Sequence, residues 1–273
     1  MSKRVIFLVI GLVLLIIGIL IITLSLTQHQ VTIQMPVNAS SPAYLLLSNW
    51  KNLSIYISTG YPIPKPILNG ESSRPPSILQ VFYGKYGLLN INVTIMGLGN
   101  TSEAYLALNN TVIIKGSNGE VSIFTPPNYT AIAMIGESNE PLTIEVFLPG
   151  SYVYETINDT YVMVKSPFPL SIYSNCGITV RGGVGYWTVL SIHGNYTYIV
   201  LNLGSGTIIP INELASINNN EVSNWLGLAR KPRLSGALLT EYYLSLLLLM
   251  DDQNPVTGGI CRITGARILL HLG

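Results

Sequence analysis

Hydrophobic and polar residues alternate in short runs through most of this chain. Between about residues 31 and 211, segments rich in Ile, Val, Leu, Tyr and Thr are separated by Gly, Pro or Asn. In the segment INVTIMG, Ile91 and Val93 point to one side of a strand, whereas Asn92 and Thr94 point to the other, which should be solvated. This period of two is typical of antiparallel strands in a sandwich or barrel. Residues 31–211 therefore predict one mainly β domain, an antiparallel β-sandwich.

A continuous apolar run, VIFLVIGLVLLIIGILIITLSL, occupies residues 5–26 and is preceded by Lys3 and Arg4. As a helix it would span roughly 33 Å, which is enough to cross the core of a bilayer. Its length and the lack of a small-residue cleavage site favour an uncleaved signal anchor. By the positive-inside rule the N-terminus is cytoplasmic. We therefore expect residues 1–30 to form a cytoplasmic stub and transmembrane anchor, with the rest of the chain extracytoplasmic, at the cell surface.

The pattern changes after residue 211, where apolar residues recur at three- and four-residue spacing. Residues 212–260 predict two helices separated by KPRLSG, and the second, residues 239–252, is apolar on nearly all sides. Such a helix requires burial against other helices or a sheet, or it promotes association. It is too short to cross a membrane, and QNPVTGG then ends it. The final residues, 261–273, have the sequence CRITGARILLHLG and do not continue the helical pattern.

Asn-x-Ser/Thr sequences recur in the predicted sandwich. Eight of them occur between residues 38 and 197, none with Pro in the middle, which is more than we expect from an Asn-rich composition. Glycans on surface turns would also explain how a body with only 10% charged residues stays soluble. We predict N-glycosylation at these positions: Asn38, Asn52, Asn92, Asn100, Asn109, Asn128, Asn158 and Asn195.

The charged residues and cysteines exclude several kinds of site. The chain has a net charge of +1, and its densest basic cluster, Arg230, Lys231 and Arg233, is too small for a nucleic-acid interface. We interpret the cluster as the end of a linker helix, where cations suit the helix dipole. Cys176 and Cys261 allow at most one disulfide, and the three histidines lie far apart in the sequence. We therefore expect no metal, no cofactor and no nucleic-acid partner.

Candidate catalytic carboxylates are few. Hydrolysis of a glycosidic bond needs a carboxylic acid and a carboxylate roughly 5 to 10 Å apart. Glu137 and Glu140 flank a predicted turn, and Asp251 and Asp252 end the apolar helix, where the helix dipole disfavours acids. Two further acids lie on predicted strands: Glu145 and Glu155. Because nothing near these residues in the sequence indicates an altered pKa, we assign no catalytic residue.

Aromatic residues are plentiful in the sandwich region. Aromatic rings on a sheet face can stack against sugars, but sandwich cores and edges use the same residue types. Both a packing role and contact with carbohydrate therefore stay open for this set: Tyr152, Tyr154, Tyr161, Tyr173, Tyr186, Trp187, Tyr196 and Tyr198.

The segment from Asn224 to Ile260 resembles part of glycoside hydrolase family 15, the prokaryotic glucoamylases and related glucan or trehalose hydrolases. In NWLGLARKP, Trp225 and Leu226 are similar to the family's linker. The match continues in the first barrel helix with Ser245, Leu246, Leu247 and Leu249, and in its closing turn with Thr257 and Gly258. The resemblance implies an N-terminal β-supersandwich that leads through linker helices into an (α/α)₆ catalytic barrel.

Two differences from the family bear on activity. The family's two catalytic glutamates lie in later barrel loops, and no position of this sequence matches either. After Ile260, the small-residue stretch of the family is replaced by residues 261–273. Two explanations are open for this tail: a reading-frame change or early stop, and a short C-terminal cap. The resemblance therefore implies an inactive chain that lacks the catalytic barrel.

The sequence thus supports two functions. The first is a membrane-anchored, extracytoplasmic β-sandwich that resembles the non-catalytic front of a glucoamylase-like enzyme and is inactive in α-glucan hydrolysis on its own. The alternative is a structural or adhesive glycosylated cell-surface protein without enzymatic activity. The alternative explains the predicted anchor, glycans and strands equally well but leaves the segment from Trp225 to Ile260 unexplained.

Overall fold

The computed structural model describes residues 44–58, 77–184, 186–204 and 208–252. The chain divides into two compact units, residues 1–31 and residues 32–273, and all described residues belong to the second. No helix in the described ranges is long and apolar enough to span a membrane. The predictions for the anchor (residues 5–26), Asn38 and the tail (residues 261–273) concern parts of the chain outside those ranges.

The first sheet contains four antiparallel strands in chain order. Alternating buried and half-buried residues in LSIYIS, such as Leu53 and Ile55 on the buried side, show why this segment is a strand with one face inward. The strands are β1 Tyr44–Ser48, β2 Leu53–Ser58, β3 Leu79–Tyr83 and β4 Gly87–Leu88.

The second sheet contains ten strands, all paired antiparallel, in the order β10-β11-β12-β14-β9-β8-β7-β6, with β5 also on β9 and β13 also on β14. These strands are β5 Asn92–Met96, β6 Thr101–Ala107, β7 Thr111–Gly116, β8 Gly119–Phe124, β9 Ala131–Pro149, β10 Val153–Asn158, β11 Tyr161–Lys165, β12 Pro169–Ser174, β13 Thr179–Val184 and β14 Trp187–Asn202.

Two long strands, β9 and β14, organise this sheet. They have 19 and 16 residues and pair with one another, with a register shift between Gly194 and Tyr196. The first part of β9 pairs with β8, and its last part pairs with β5. One long strand pair therefore joins two ladders of shorter strands.

Both sheets contribute to the same hydrophobic core. The largest buried cluster contains Leu47 and Ile55 from the first sheet together with Val121 and Ile144 from the second. Side chains from the inner faces of two sheets share a core in this way when the sheets pack against each other. The prediction of a mainly β fold with antiparallel sheets is confirmed.

The prediction of a solvated face on β5 is wrong. Asn92 and Thr94 are only 1% and 2% exposed, so both faces of this strand are buried. Alternation of polar and apolar residues shows which side chains share a face, but it does not show whether that face meets water. The folded protein therefore has no room for a glycan on Asn92.

Two helices follow the last strand, as the sequence predicts. The first, α1 Ile211–Leu228, begins against the second sheet, where Ile211 and Leu214 join a cluster with Phe124 and Val200. The second, α2 Ala237–Asp251, packs against β1. The sandwich and α2 are thus joined by buried contacts near both ends of the described chain.

Candidate functional site

The leucine-rich helix α2 meets the sandwich along one stripe of side chains. Leu244, Leu247 and Asp251 are buried, and their spacing of three and four residues places them on one face of the helix. The predicted need for burial is met on this face alone, because Leu238 and Leu249 remain 55% and 51% exposed. The helix therefore has one covered and one uncovered apolar surface.

The carboxylate of Asp251 joins α2 to two turns of the sandwich. Its Oδ1 atom accepts hydrogen bonds from the Ser48 backbone N–H, the Trp50 indole Nε1–H and the Asn110 Nδ2–H, each at 3.1 Å. Trp50 and Asn110 have positive φ angles, 57° and 55°, so each lies at a sharp bend of the backbone that aims its side chain. The helix does end near Asp251, as predicted, but the buried role of its carboxylate was missed.

Burial dominates the electrostatics of Asp251. The residue is 3% exposed, and desolvation raises the pKa of its carboxyl group to about 7, although the three hydrogen bonds act in the opposite direction. In the described part of the chain, its Oδ2 atom has no hydrogen-bond partner. A carboxyl group sealed from solvent in this way cannot reach a substrate, so we assign Asp251 a structural role.

Two of the other candidate acids are engaged in hydrogen bonds. Glu145 accepts hydrogen bonds from Arg181 at 2.6 Å and from the Ser191 hydroxyl at 3.1 Å, which engages its Oε1 atom in a salt bridge. Glu140 accepts a hydrogen bond from Asn118. The two other candidate acids on the sandwich are exposed, namely Glu137 on β9 and Glu155 on β10.

Among the described residues, no group of three or more His, Cys, Asp or Glu side chains is arranged to hold a metal ion. His193 lies within β14, where its Nδ1 atom is 2.9 Å from the Thr143 hydroxyl. The basic cluster Arg230, Lys231 and Arg233 is exposed between α1 and α2. The carbonyl of Arg230 accepts a hydrogen bond from Tyr242 of α2, so this segment connects the two helices.

Six of the predicted glycosylation sites are exposed in the folded chain. Five lie on turns or at a strand end, namely Asn52, Asn100, Asn109, Asn128 and Asn158, and Asn195 lies within β14 at its register shift. Three of them flank the Asp251 junction. Asn49 donates hydrogen bonds to the side chain of Asn52 and to the carbonyl of Tyr129, the residue after Asn128. Asn109 is the residue before Asn110, which donates to Asp251.

The candidate aromatic residues divide into two groups. Tyr161, Tyr173 and Tyr198 pack with the start of α1, and Tyr196 is exposed beside the register shift of β14. The other four line one cleft of about 590 Å³ at the β9–β10 and β13–β14 turns: Tyr152, Tyr154, Tyr186 and Trp187. No family model matches this chain, and no curated protein matches it either.

Proposed function

We propose that this chain is a membrane-anchored, extracytoplasmic β-sandwich that supports a helical partner domain and has no hydrolytic activity of its own. In this proposal the two sheets correspond to the β-supersandwich of glycoside hydrolase family 15, α1 to its linker and α2 to its first barrel helix. The order of elements supports the correspondence, because the strands are followed by a helix with Trp225 and then by a leucine-rich helix.

The observation that carries the proposal is the division of α2 into two apolar faces. One face is held on β1 by Leu244 and Leu247, and the end of the helix is held by Asp251. The opposite face exposes Leu238 and Leu249. A surface helix of a finished globular domain normally places polar residues on that side. Leucines on both sides are expected of a helix that lies between two layers, here the sandwich and a layer of further helices.

The linker helix supports the same arrangement. The ring of Trp225 packs against that of Trp50 in a tilted arrangement, with centroids 5.4 Å apart and ring planes at 49°. Trp50 also donates its indole N–H to Asp251 at the end of α2. This aromatic pair and the hydrogen bond of Trp50 therefore connect α1, the β1–β2 turn and the end of α2.

Hydrolysis by the purified full chain tests the proposal. We expect no release of glucose from maltose or soluble starch above that from buffer. Turnover that one Glu→Gln or Asp→Asn change abolishes would contradict a non-catalytic role. Loss of activity on such a change separates turnover by this chain from that of a contaminating enzyme.

Native glycosylation tests the extracytoplasmic location. We expect enzymatic deglycosylation to lower the mass of the protein from its own host. The variant Asn158→Gln should lose one glycan, whereas Asn92→Gln should lose none, because Asn158 is exposed and Asn92 is buried. An unchanged mass on deglycosylation would contradict the extracytoplasmic location.

An edge strand favours the structural or adhesive alternative. All six residues of β10 are exposed, including Val153 and Ile157, and among the described strands β10 pairs only with β11. An exposed apolar edge can pair with another chain. If adhesion is the function, the full chain self-associates and Ile157→Lys abolishes the association, as measured by sedimentation velocity. A monomer at all concentrations would exclude this candidate.

A further inference from the structure

The cleft at the β9–β10 and β13–β14 turns combines flat aromatic rings with hydroxyl groups. Tyr152 and Tyr154 come from one turn, and Tyr186 and Trp187 come from the other. The two turns are held together by the hydrogen bond from the Gly150 N–H to the Tyr186 carbonyl, at 2.7 Å. The rings are therefore positioned by backbone contacts and not by one flexible loop alone.

Five hydroxyl groups border this cleft. They belong to the three tyrosines and to Ser151 and Thr188. None of them is hydrogen-bonded to another residue within the part of the chain that the structure describes. Each hydroxyl group both donates and accepts hydrogen bonds, so together they suit a ligand that also does both.

The cleft is uncharged. The described residues that line it include no Asp, Glu, Lys, Arg or His. Two charged residues adjoin the lining along the chain. Arg181 precedes Gly182, and its guanidinium is in a salt bridge with Glu145. Glu155 follows Tyr154 and is exposed on β10. An anionic or cationic ligand would lose its hydration here without gaining a partner of opposite charge.

We propose that this cleft binds a neutral oligosaccharide. The apolar face of a pyranose ring presents C–H groups, which are attracted to the negative face of an aromatic ring. The hydroxyl groups around the sugar ring need both donors and acceptors, which the five protein hydroxyls supply. The volume of about 590 Å³ lies within the usual range for small-ligand sites.

A proline-rich peptide is the competing ligand, because aromatic grooves also bind polyproline segments. Such a peptide offers mainly carbonyl acceptors, whereas the cleft offers five groups that are acceptors as well as donors. The cleft therefore suits the sugar better.

Calorimetric titration of the full chain, in a detergent without a sugar headgroup, tests this proposal. The neutral probes are maltoheptaose, cellohexaose, chitohexaose and mannohexaose. The comparison probes are an oligogalacturonate, which is anionic, and a synthetic peptide of residues 61–70, which contains PIPKP. We expect at least one neutral oligosaccharide to bind, with the two comparison probes weaker by about tenfold or more.

Two pairs of variants assign the binding to the cleft. A Cβ atom at Gly182 would meet nothing within 4 Å, so Gly182→Leu fills free space in the cleft, and Gly227→Leu does the same on the exposed surface of α1. Tyr186→Ala removes a ring that is 74% exposed, and Tyr196→Ala removes one that is 52% exposed outside the cleft. We expect Gly182→Leu and Tyr186→Ala to weaken binding about tenfold or more, with the two controls unchanged.

Three results would overturn the proposal: no binding of any neutral probe, tighter binding of the anionic or proline-rich probe, or equal effects of the cleft variants and their controls. Far-ultraviolet circular dichroism of each variant checks that the fold is retained. Sugar binding does not depend on relatedness to glycoside hydrolases. Absence of sugar binding would therefore not contradict the proposed support role, and hydrolysis by the chain would not contradict sugar binding in this cleft.

Discussion

The helices α1 and α2 pack on the same sandwich in the same way, yet they differ on the sides that face away from it. In α1 the buried residues are Ile211, Leu214, Asn218 and Val222, and in α2 they are Leu244, Leu247 and Asp251. Each set follows the three- and four-residue spacing of a single face. The outer side of α1 is mainly polar, with Asn220 and Glu221, and its exposed leucine, Leu228, is the last residue of the helix. The outer side of α2 exposes Leu238 and Leu249.

Apolar residues in a helix can serve a contact with the sandwich or a second contact on the opposite side, and the sequence pattern alone does not distinguish the two. One stripe of buried residues is sufficient to hold either helix on the sandwich. The leucines on the outer side of α2 are therefore not needed for that contact. They indicate a second apolar contact, which α1 does not require.

The buried face of α2 should respond most strongly to substitution. Leu247 is fully buried, so Leu247→Ala removes packed atoms and leaves a cavity. We expect the free energy of unfolding of the full chain to fall by about 2–5 kcal/mol in urea denaturation. A loss below about 1 kcal/mol would mean that α2 is not held on β1 by this face.

The Asp251 junction should make stability depend on pH. The carboxyl pKa is about 7 in the folded chain, and in the unfolded chain it has its ordinary value of 3.8. Between these values the folded chain binds more protons than the unfolded chain, so this group lowers stability as pH rises from about 4 to 7. Asp251→Asn keeps an acceptor for the three donors and cannot ionise.

The measurement is the difference in unfolding free energy between the unchanged chain and Asp251→Asn at several pH values. All other titrating groups are common to both proteins and cancel in that difference. We expect the variant to gain stability relative to the unchanged chain by a few kcal/mol across this pH range. Asp252→Asn is the matched control and should show a smaller effect, because Asp252 is less buried. Equal pH profiles for all three proteins would rule out a titrating carboxyl at the junction.

The buried hydrogen bond between α1 and the sandwich should contribute less to stability than the buried face of α2 or the Asp251 junction. Asn218 is buried and donates from Nδ2 to the Asn109 carbonyl at 2.6 Å. We expect Asn218→Ala to cost about 1–3 kcal/mol in urea denaturation, because the carbonyl loses its partner. Asn219→Ala, which affects only an exposed hydrogen bond to Asn109, should stay within about 0.5 kcal/mol.

The outer face of α2 should show the smallest effect on stability. The double variant Leu238→Ser, Leu249→Ser changes exposed side chains, so its unfolding free energy should stay within about 0.5 kcal/mol per residue of the unchanged chain. Binding of a hydrophobic dye should decrease, because this face is apolar. A loss of stability as large as that of Leu247→Ala would show that the outer face is already covered by the chain itself.

Sequence patterns predicted the strands and helices better than they predicted which faces of these elements are buried. The strands followed from alternation and the helices from three- and four-residue spacing. The burial of Asn92 did not, because it depends on what covers β5 and not on the period of that strand. The sequence also showed that α2 needs burial, but it did not show which face would receive it.

The sites depend on residues that are distant in sequence. Asp251 receives its hydrogen bonds from residues 48, 50 and 110, and no local pattern connects them. Of the eight candidate aromatic residues, only four share a cleft, because the topology brings the β9–β10 turn beside the β13–β14 turn. The salt bridge of Glu145 with Arg181 depends on the pairing of β13 with β14 and of β14 with β9, which the sequence pattern does not show.

The hydrogen bond between Ser48 and Asp251 spans 203 positions of the chain. During synthesis, β1 emerges long before Asp251 is made. The backbone N–H of Ser48 and the indole N–H of Trp50 therefore lack this acceptor until nearly the whole described chain has been synthesised. Contacts of such separation form late and leave apolar surface open in the meantime. A ribosome that stopped before residue 237 would release a sandwich with β1 uncovered, and such a product would depend on chaperones to stay in solution.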